Sequence, residues 1–175
     1  MGKLIRYISK DDFEKVLKFE KDKDFKLAYA LAFGSGLRIS EIVGAAKNSN
    51  QEIKPLVKDQ INLTTRQIKV YGKGGKERIT MTSPWINDKN IELLPLKIPR
   101  TTLQHRFRTI TLKVLGKRLN FHTLRHGFAN WLINDLNIPL PMVQGFGGWS
   151  RLDTVGIYAK ANPVQAVNKV WENFG

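Results

Sequence analysis

Apolar residues keep a helical spacing over most of this chain and alternate in one short stretch. One helical stripe is carried by five residues, Phe25, Ala28, Tyr29, Ala32 and Phe33. Between residues 56 and 82 the spacing shortens to two, with Ile68 and Val70 before a glycine-rich turn and Ile79 and Met81 after it. Spacing of two is typical of a strand, whereas a helix face repeats every three to four residues. The sequence therefore predicts a mainly α domain with a small antiparallel β-sheet, an α+β fold.

Helix boundaries are indicated by capping residues, glycines and prolines. Ser9 with Asp12 resembles a capping box, which predicts a first helix over about 10–21. Gly34 and Gly36 are expected to end the second helix, and Ser40 to cap a short third one. Further helices are expected over 103–114, 124–133, 140–146, 151–160 with Ser150 as its cap, and 163–174 as a C-terminal tail helix.

The charge of the chain narrows its range of partners. Lysine and arginine number 29 against 15 acidic residues, for a net charge of +14 and a pI near 10.1. A field of this sign favours nucleic acid, with an anionic membrane surface or simple solubility as alternatives. No apolar run reaches the ~18 residues that span a bilayer, and no leader pattern is present, so we expect an intracellular protein. The absence of cysteine excludes disulfides, thiolate zinc sites and cysteine nucleophiles.

Two basic motifs lie in the first half of the chain. Arg38 stands between a glycine-containing loop and a predicted helix start, where its guanidinium would either bind a phosphate or pair with Glu41. Lys73 lies in the turn sequence GKGGKER at 72–78 and would either protonate a leaving oxygen or only contact phosphates. The turn lacks the G-x-x-x-x-G-K-[ST] spacing of a nucleotide-binding P-loop.

Two further motifs lie in the second half. His122 and Arg125 are three residues apart, so they share one face of a predicted helix. A zinc site on His122 and His126 is disfavoured because no acidic residue separates them and Arg125 repels a cation. His126 is otherwise interpreted as a buried, hydrogen-bonded histidine. The last motif, GGWSRLDTVGIY at 147–158, ends in Tyr158, which taken alone is more typical of core packing than of a nucleophile.

The order of these motifs resembles the catalytic domain of tyrosine recombinases, also called phage integrases. The matching pieces are Arg38 with Glu41, Lys73 in GKGGKER, HTLRHGFANWL at 122–132, GGW at 147–149 and Tyr158. The resemblance spans about residues 10–158, and its most specific part is H-x-L-R-H followed by G-W and a tyrosine. Trp149 stands where Xer-like members have histidine and Cre-like members have tryptophan.

This resemblance implies a set of roles. Arg38 and Arg125 would bind the scissile phosphate, Lys73 would be the hairpin lysine that protonates the 5′-oxygen, and Tyr158 would attack phosphorus to form a 3′-phosphotyrosyl link. His122 would be a base, Trp149 a hydrogen-bond donor, and Glu41 and His126 supporting residues. Nearby cations are expected to favour the phenolate of Tyr158. Two arginines and an indole N–H would neutralise the phosphate, so we expect neither a metal nor another cofactor.

The resemblance also implies partners and alternatives. Double-stranded DNA is the expected substrate, contacted also by Lys76, Arg78 and Arg151, and the protein is expected to form a tetramer on DNA and to be a monomer when free. Residues 1–175 are interpreted as one catalytic domain without the N-terminal core-binding domain usual in the family, which predicts weak and unselective DNA binding. A type IB topoisomerase-like enzyme and a catalytically idle DNA-binding module of the same fold remain as alternatives.

Overall fold

The computed structural model describes residues 6–48, 51–159 and 163–172. Its helices are, in chain order, α1 Lys10–Phe19, α2 Lys23–Ser35, α3 Ile39–Val43, α4 Asp88–Ile91, α5 Arg100–Leu115, α6 His122–Asn130, α7 Leu140–Gly147, α8 Leu152–Gly156 and α9 Pro163–Glu172. Its strands are β1 Ala45–Asn48, β2 Gln51–Ile53, β3 Ile61–Asn62, β4 Gln67–Tyr71 and β5 Glu77–Met81. The predicted mainly α fold with a small antiparallel sheet is confirmed. Across the described ranges, every helix is too short or too polar to cross a membrane.

The strands form two small antiparallel sheets, β1–β2 and β3–β4–β5. In β4 the alternation follows the sequence, because Ile68 and Val70 are buried while their neighbours are exposed. In β5 the inward positions are held by Arg78 and Thr80, which lie opposite Val70 and Ile68 in the register. The sheet therefore points an arginine toward the body of the protein. The β1–β2 hairpin was not expected from the sequence.

The core is built around α2, which is buried on nearly all sides and packs against α6. Phe33 of α2 stacks on Phe13 of α1, with ring centroids 4.1 Å apart, and on Trp131 at 5.7 Å. Gly34 does not end this helix, as the sequence analysis had expected, but lies within it and is buried. A side chain at Gly34 would overlap Ser83, so a close approach requires glycine there.

Capping residues mark several helix ends, with two corrections to what the sequence predicts. Ser9 accepts a hydrogen bond from the Asp12 N–H at 3.2 Å, and Gly36, with a φ of 70°, ends α2 as predicted. Ser40 does not cap α3; the cap position is Arg38, whose N–H donates to the Glu41 carboxylate at 2.8 Å. Ser150 likewise does not cap α8, which begins after Arg151.

A buried carboxylate ties α1 to α5. Glu20 is fully buried and accepts two hydrogen bonds from Arg106, at 2.9 and 2.7 Å, and two from the N–H groups of Lys21 and Asp22. Burial raises the pKa of Glu20, but Arg106 and the backbone donors outweigh burial, so its pKa lies below the ordinary value of 4.5. The charged form is therefore the one that stabilises the fold.

Replacing Glu20 by Gln should change how stability depends on pH. A carboxyl group whose pKa is depressed by folding stabilises the protein above its unfolded pKa, and this contribution is lost as pH falls through the folded pKa. We expect Glu20→Gln to lower the free energy of unfolding at pH 7 and to flatten its decline below about pH 4.5. Urea unfolding of both proteins between pH 7 and pH 3 measures this, and parallel pH profiles would contradict it.

Candidate active site

Arg125 lies at the bottom of the site. It projects from α6, is 2% exposed, and its Nη1 donates to the carbonyl oxygens of Gly36 at 2.7 Å and Gly147 at 2.5 Å. Gly36 ends α2 and Gly147 ends α7, so one guanidinium joins three helices. Burial, and then repulsion from Arg38, lower the pKa of Arg125 to about 9, which leaves it a cation at neutral pH.

Arg38 also binds the C-terminal end of α7. Its Nη2 donates to the Gly148 carbonyl at 3.1 Å and its Nη1 to Glu41 at 3.2 Å, while 40% of the side chain remains exposed. Arg38, His122 and Arg125 together line a hollow of about 230 Å³. Two guanidinium groups and an imidazole thus converge on one small space, which suits a doubly hydrogen-bonded anion such as a phosphate.

Glu41 is the carboxylate that fixes this arrangement. It is 3% exposed and accepts from Arg78 Nη1 at 2.6 Å and Nη2 at 2.8 Å, in addition to both groups of Arg38. Burial raises the pKa of Glu41, but Arg78 and Arg38 lower it by more than burial raises it. The pKa of Glu41 therefore lies below its ordinary value of 4.5. The sequence analysis expected Glu41 to support Arg38, and the structure places it in that contact.

Tyr158 contacts α6, the helix that carries Arg125. It follows α8, is 6% exposed, and its hydroxyl contacts Nδ1 of His126. The Tyr158 carbonyl accepts a hydrogen bond at 2.7 Å from Asn134, which lies in a π-helical turn that follows α6. His126 in turn packs edge-to-face on His122, with centroids 4.5 Å apart. The partner of the hydroxyl is therefore His126, and His122 lies one ring further away.

The expected activation of Tyr158 by nearby cations is wrong for this conformation. Burial raises the pKa of Tyr158 to about 12, and the opposing effect of Arg125 is the smaller one. Burial and the neighbouring His122 and Arg125 lower the pKa of His126 to about 4. At neutral pH the pair is thus a neutral phenol and a neutral imidazole, a pairing in which the phenol donates and the imidazole accepts.

Trp149 covers the buried arginine. The Cζ of Arg125 lies 4.1 Å from the Trp149 ring centroid, within cation–π distance. Trp149 also borders a cleft of about 710 Å³ between the β4–β5 turn and α7, which we call the hairpin cleft and which is lined by Arg38, Gly72, Lys76, Gln144 and Trp149 among others. This cleft opens the arginine site toward the basic turn.

The remaining basic residues of the sequence analysis lie around this cleft or at the surface. The backbone at Lys73 forms a tight turn, in which Gly74 and Gly75 have φ values of 75° and 70°. The Lys73 side chain lies outside the described part of the structure. Lys76 is exposed on the cleft wall, and Arg151 is exposed and paired with Asp153 at 2.6 Å.

Arg78, expected from the sequence to contact DNA, is placed differently. Its Nε donates to the Phe146 carbonyl at 2.9 Å, its two terminal nitrogens bind Glu41, and only 13% of its side chain is exposed. Neither this anchoring contact nor that of Asn134 with the Tyr158 carbonyl is predicted by the sequence. The inward position of Arg78 follows from the strand register, in which it lies opposite the buried Val70.

Gly36→Ala should destabilise the protein and disturb the site together. The φ of Gly36 is 70°, and a Cβ there would lie 2.6 Å from the Phe128 ring. Left-handed strain and overpacking together are expected to lower the free energy of unfolding by about 2–4 kcal/mol. Thermal and urea unfolding measure this. Gly116→Ala is the matched control, because Gly116 has a φ of 66° with open space around it, and equal losses in both variants would contradict the packing argument.

The sequence is similar to proteins of one family. Residues 96–164 match the model of the phage integrase family. Tyrosine recombinase XerC of Haemophilus influenzae (strain PittEE) is 31% identical over 151 residues, covering 75% of this chain and 47% of that protein. Tyrosine recombinase XerD of Lacticaseibacillus casei is 31% identical over 173 residues, covering 86% and 54%. The chain spans about half the length of these curated relatives.

Solved structures share the fold. The crystal structure of XerA recombinase superposes with a TM-score of 0.70 at 16% identity, covering 99% of this chain and 66% of that one. The XerH site-specific recombinase, in a pre-cleavage complex with its difH substrate, gives a TM-score of 0.67 at 21% identity, covering 97% and 54%. Together, the family-model match, the sequence relatives and the shared fold identify this chain as a homologue of the tyrosine recombinases of the phage integrase family.

Proposed function

We propose that this chain cleaves and rejoins DNA strands by metal-independent transesterification, as the catalytic domain of a site-specific recombinase or integrase. The observation that carries the proposal is the convergence of Arg38, His122 and Arg125 on one hollow, with Tyr158 attached to the same helix through His126. A net charge of +14 favours DNA as the substrate. The named relatives are tyrosine recombinases, which supports the same reaction.

In the proposed step the Tyr158 oxygen attacks a DNA phosphorus. The phenolic O–H bond breaks and its proton passes to an imidazole, the new Tyr158 O–P bond forms, and the P–O5′ bond breaks. The 5′-oxygen leaves as a hydroxyl after taking a proton from Lys73, a role proposed from its chemistry and its place in the turn. Rejoining runs the same bonds in reverse, so no external energy source is needed.

The two arginines would carry the electrostatic part of catalysis. Negative charge grows on the non-bridging oxygens as the phosphorus becomes five-coordinate, and fixed guanidinium groups stabilise that charge without reorganising. Trp149 is proposed to donate to the same phosphate from its place over Arg125. His122, which lines the hollow with Arg38 and Arg125, is proposed as the base that accepts the Tyr158 proton once the hydroxyl has left His126.

Tyr158 must change its surroundings when DNA binds. A pKa of about 12 leaves little phenolate at neutral pH, and the buried hydroxyl faces His126. We propose that a phosphate bound between Arg38 and Arg125 draws Tyr158 from His126 toward phosphorus. This movement would break the contact of the hydroxyl with His126, while the Asn134 hydrogen bond to the Tyr158 carbonyl and the buried Val155 of α8 would keep the segment in place.

The proposed reaction is tested with nicked duplexes of randomised flanking sequence. Cleavage near a nick releases a short 5′-hydroxyl fragment that diffuses away, so the covalent protein–DNA adduct accumulates. We expect the 175-residue chain to form an adduct that survives denaturation, at the same rate in EDTA as in magnesium. Absence of an adduct over the full range of flanks, or a strict requirement for a divalent metal, would contradict the proposal.

A topoisomerase-like activity and an idle DNA-binding module are separated by two further assays. Exchange between two DNA sites with little plasmid relaxation is the result expected for a recombinase. Relaxation of supercoils without exchange would favour the topoisomerase alternative, and DNA binding without an adduct would favour the idle module. The names of the relatives favour the first outcome.

The proposed DNA-bound state is a tetramer held by α9. Val164, Val167 and Val170 are 71%, 54% and 54% exposed, and they lie three residues apart on one face of α9. Such a stripe suits packing against a second copy of the chain. The exposure of these side chains argues against the alternative, in which the tail folds onto its own core. Residues 173 and 174 of the expected tail helix lie outside the described residues. Sedimentation with and without DNA tests this proposal. The unaltered chain should form a tetramer on DNA, and Val167→Asp should not; a tetramer of Val167→Asp on DNA would contradict the role of α9.

A further inference from the structure

The C-terminal end of α7 is held by three arginines from three different elements. Consecutive carbonyl oxygens accept one hydrogen bond each, Phe146 from Arg78 at 2.9 Å, Gly147 from Arg125 at 2.5 Å and Gly148 from Arg38 at 3.1 Å. The last carbonyls of a helix lack intrahelical partners and carry the negative end of the helix dipole. Cations are therefore favoured at this end of α7. Two of the three arginines bound here, Arg38 and Arg125, are the proposed phosphate ligands.

Arg78 differs from the other two in how its donors are used. Its Nε binds the Phe146 carbonyl, and Nη1 and Nη2 bind the two oxygens of Glu41 in a bidentate pair. The side chain is 13% exposed, against 40% for Arg38. Three of the five N–H groups of the guanidinium thus already bind protein acceptors, and the low exposure of the side chain limits the access of a phosphate to the other two.

We propose that Arg78 is a positioning residue for the strand-cleavage reaction, holding Glu41 and the end of α7 together so that Arg38 faces the phosphate bound by Arg125. This inference rests on the function proposed above. It replaces direct DNA contact, the role expected for Arg78 from the sequence, with action through Glu41 and the Phe146 carbonyl.

Glu41 carries the effect of Arg78 to Arg38. The Glu41 carboxylate is 3% exposed and lies between two arginines, with Arg38 bound through its backbone N–H at 2.8 Å and its Nη1 at 3.2 Å. Without Arg78 the buried carboxylate would lose its bidentate partner, and a buried charge requires compensation. The Arg38 guanidinium would supply it by turning away from Gly148 and from the phosphate hollow.

The test uses Arg78→Lys and Arg78→Gln in the 175-residue chain. Single-turnover adduct formation on the nicked duplexes and the dissociation constant for DNA, over a range of salt, are measured for each. We expect both variants to form adduct about 10- to 100-fold more slowly, because a small misplacement of a catalytic group has effects of this size. Because Arg38 leaves the phosphate hollow in both variants, DNA affinity and its salt slope should fall equally in the two, by no more than one phosphate contact, or about 0.9 in slope.

Two control variants separate other causes. Lys76→Gln, on the exposed cleft wall, should show the signature of a phosphate contact, a salt slope reduced by about 0.9. Arg106→Lys breaks the other bidentate arginine–glutamate pair, with Glu20, away from the site. It should lose stability as the Arg78 variants do, while its rate per folded molecule is unchanged.

Three outcomes would overturn the role of Arg78. The first is a reduced salt slope in Arg78→Gln that Arg78→Lys restores, which would show a DNA contact. The second is an unchanged adduct rate per folded molecule in both variants. The third is unchanged amide hydrogen exchange at residues 147–149 in the DNA-free variants. This exchange should become faster if Arg78 holds the end of α7. Failure of the unaltered chain to form an adduct would instead contradict the proposed function.

Discussion

Tyr158→Phe should abolish the covalent protein–DNA adduct while leaving DNA binding in place. The phenolic oxygen is the proposed nucleophile, and phenylalanine retains the ring but lacks the atom that would bond to phosphorus. Tyr158 is 6% exposed, and its carbonyl keeps the hydrogen bond from Asn134 whether or not the hydroxyl is present, so the variant should fold. We expect adduct formation on the nicked duplexes to fall below detection, with an unchanged dissociation constant.

A second tyrosine provides the matched control. Tyr29 is fully buried in the core, and its hydroxyl donates to Glu20 at 3.3 Å. Tyr29→Phe therefore also removes one buried hydroxyl, which binds Glu20 and does not line the hollow. It should lose some stability and keep its adduct rate per folded molecule. An adduct of normal yield in Tyr158→Phe would show that another side chain attacks the phosphate.

Arg125→Lys should slow strand cleavage by about 10²–10³-fold, the range seen when one fixed donor to a developing oxyanion is removed. Lysine keeps the charge but presents it as a single point, whereas the guanidinium bridges the Gly36 and Gly147 carbonyls and stacks on Trp149. The loss should lie in the cleavage rate more than in DNA affinity. Single-turnover kinetics and DNA titration of the same preparations separate these quantities.

Arg125 also stabilises the fold, so its variant needs a stability control. Arg125→Lys leaves carbonyls at two helix ends without their present donor, and we expect its melting temperature to fall. Arg106→Lys is matched in chemistry, and because Arg106 pairs with Glu20 and does not line the hollow, it gives the rate expected from lost stability alone. A cleavage rate for Arg125→Lys within threefold of that control would contradict a catalytic role.

The fold was largely predictable because its signals are local. Helical and alternating apolar spacing located most elements, and Ser9 and Gly36 marked the ends they were expected to mark. The errors came from tertiary packing. Gly34 stays inside α2, at a point where a side chain would overlap Ser83, and Arg38 takes the cap position of α3 because Glu41 reaches back to its N–H.

Most residues of the site could be predicted from the sequence, but their geometry could not. The order of motifs indicated Arg38, His122, Arg125 and Tyr158, and the structure brings the first three to one hollow. The contact between Tyr158 and His126 depends on how the segment after α7 folds back, which no spacing encodes. The raised pKa of Tyr158 depends on burial, and the anchoring of Arg78 on a strand register, so neither followed from the sequence.

The most direct measurement of the central claim is the identity of the residue bonded to DNA. The trapped adduct is digested with protease and nuclease, and the modified peptide is sequenced by mass spectrometry. Our account predicts a single modified residue, Tyr158, linked to the 3′-phosphate of the cleaved strand. A nucleotide on any other side chain, or a 5′-phosphate linkage, would contradict the assignment of Tyr158 and of the site built around it.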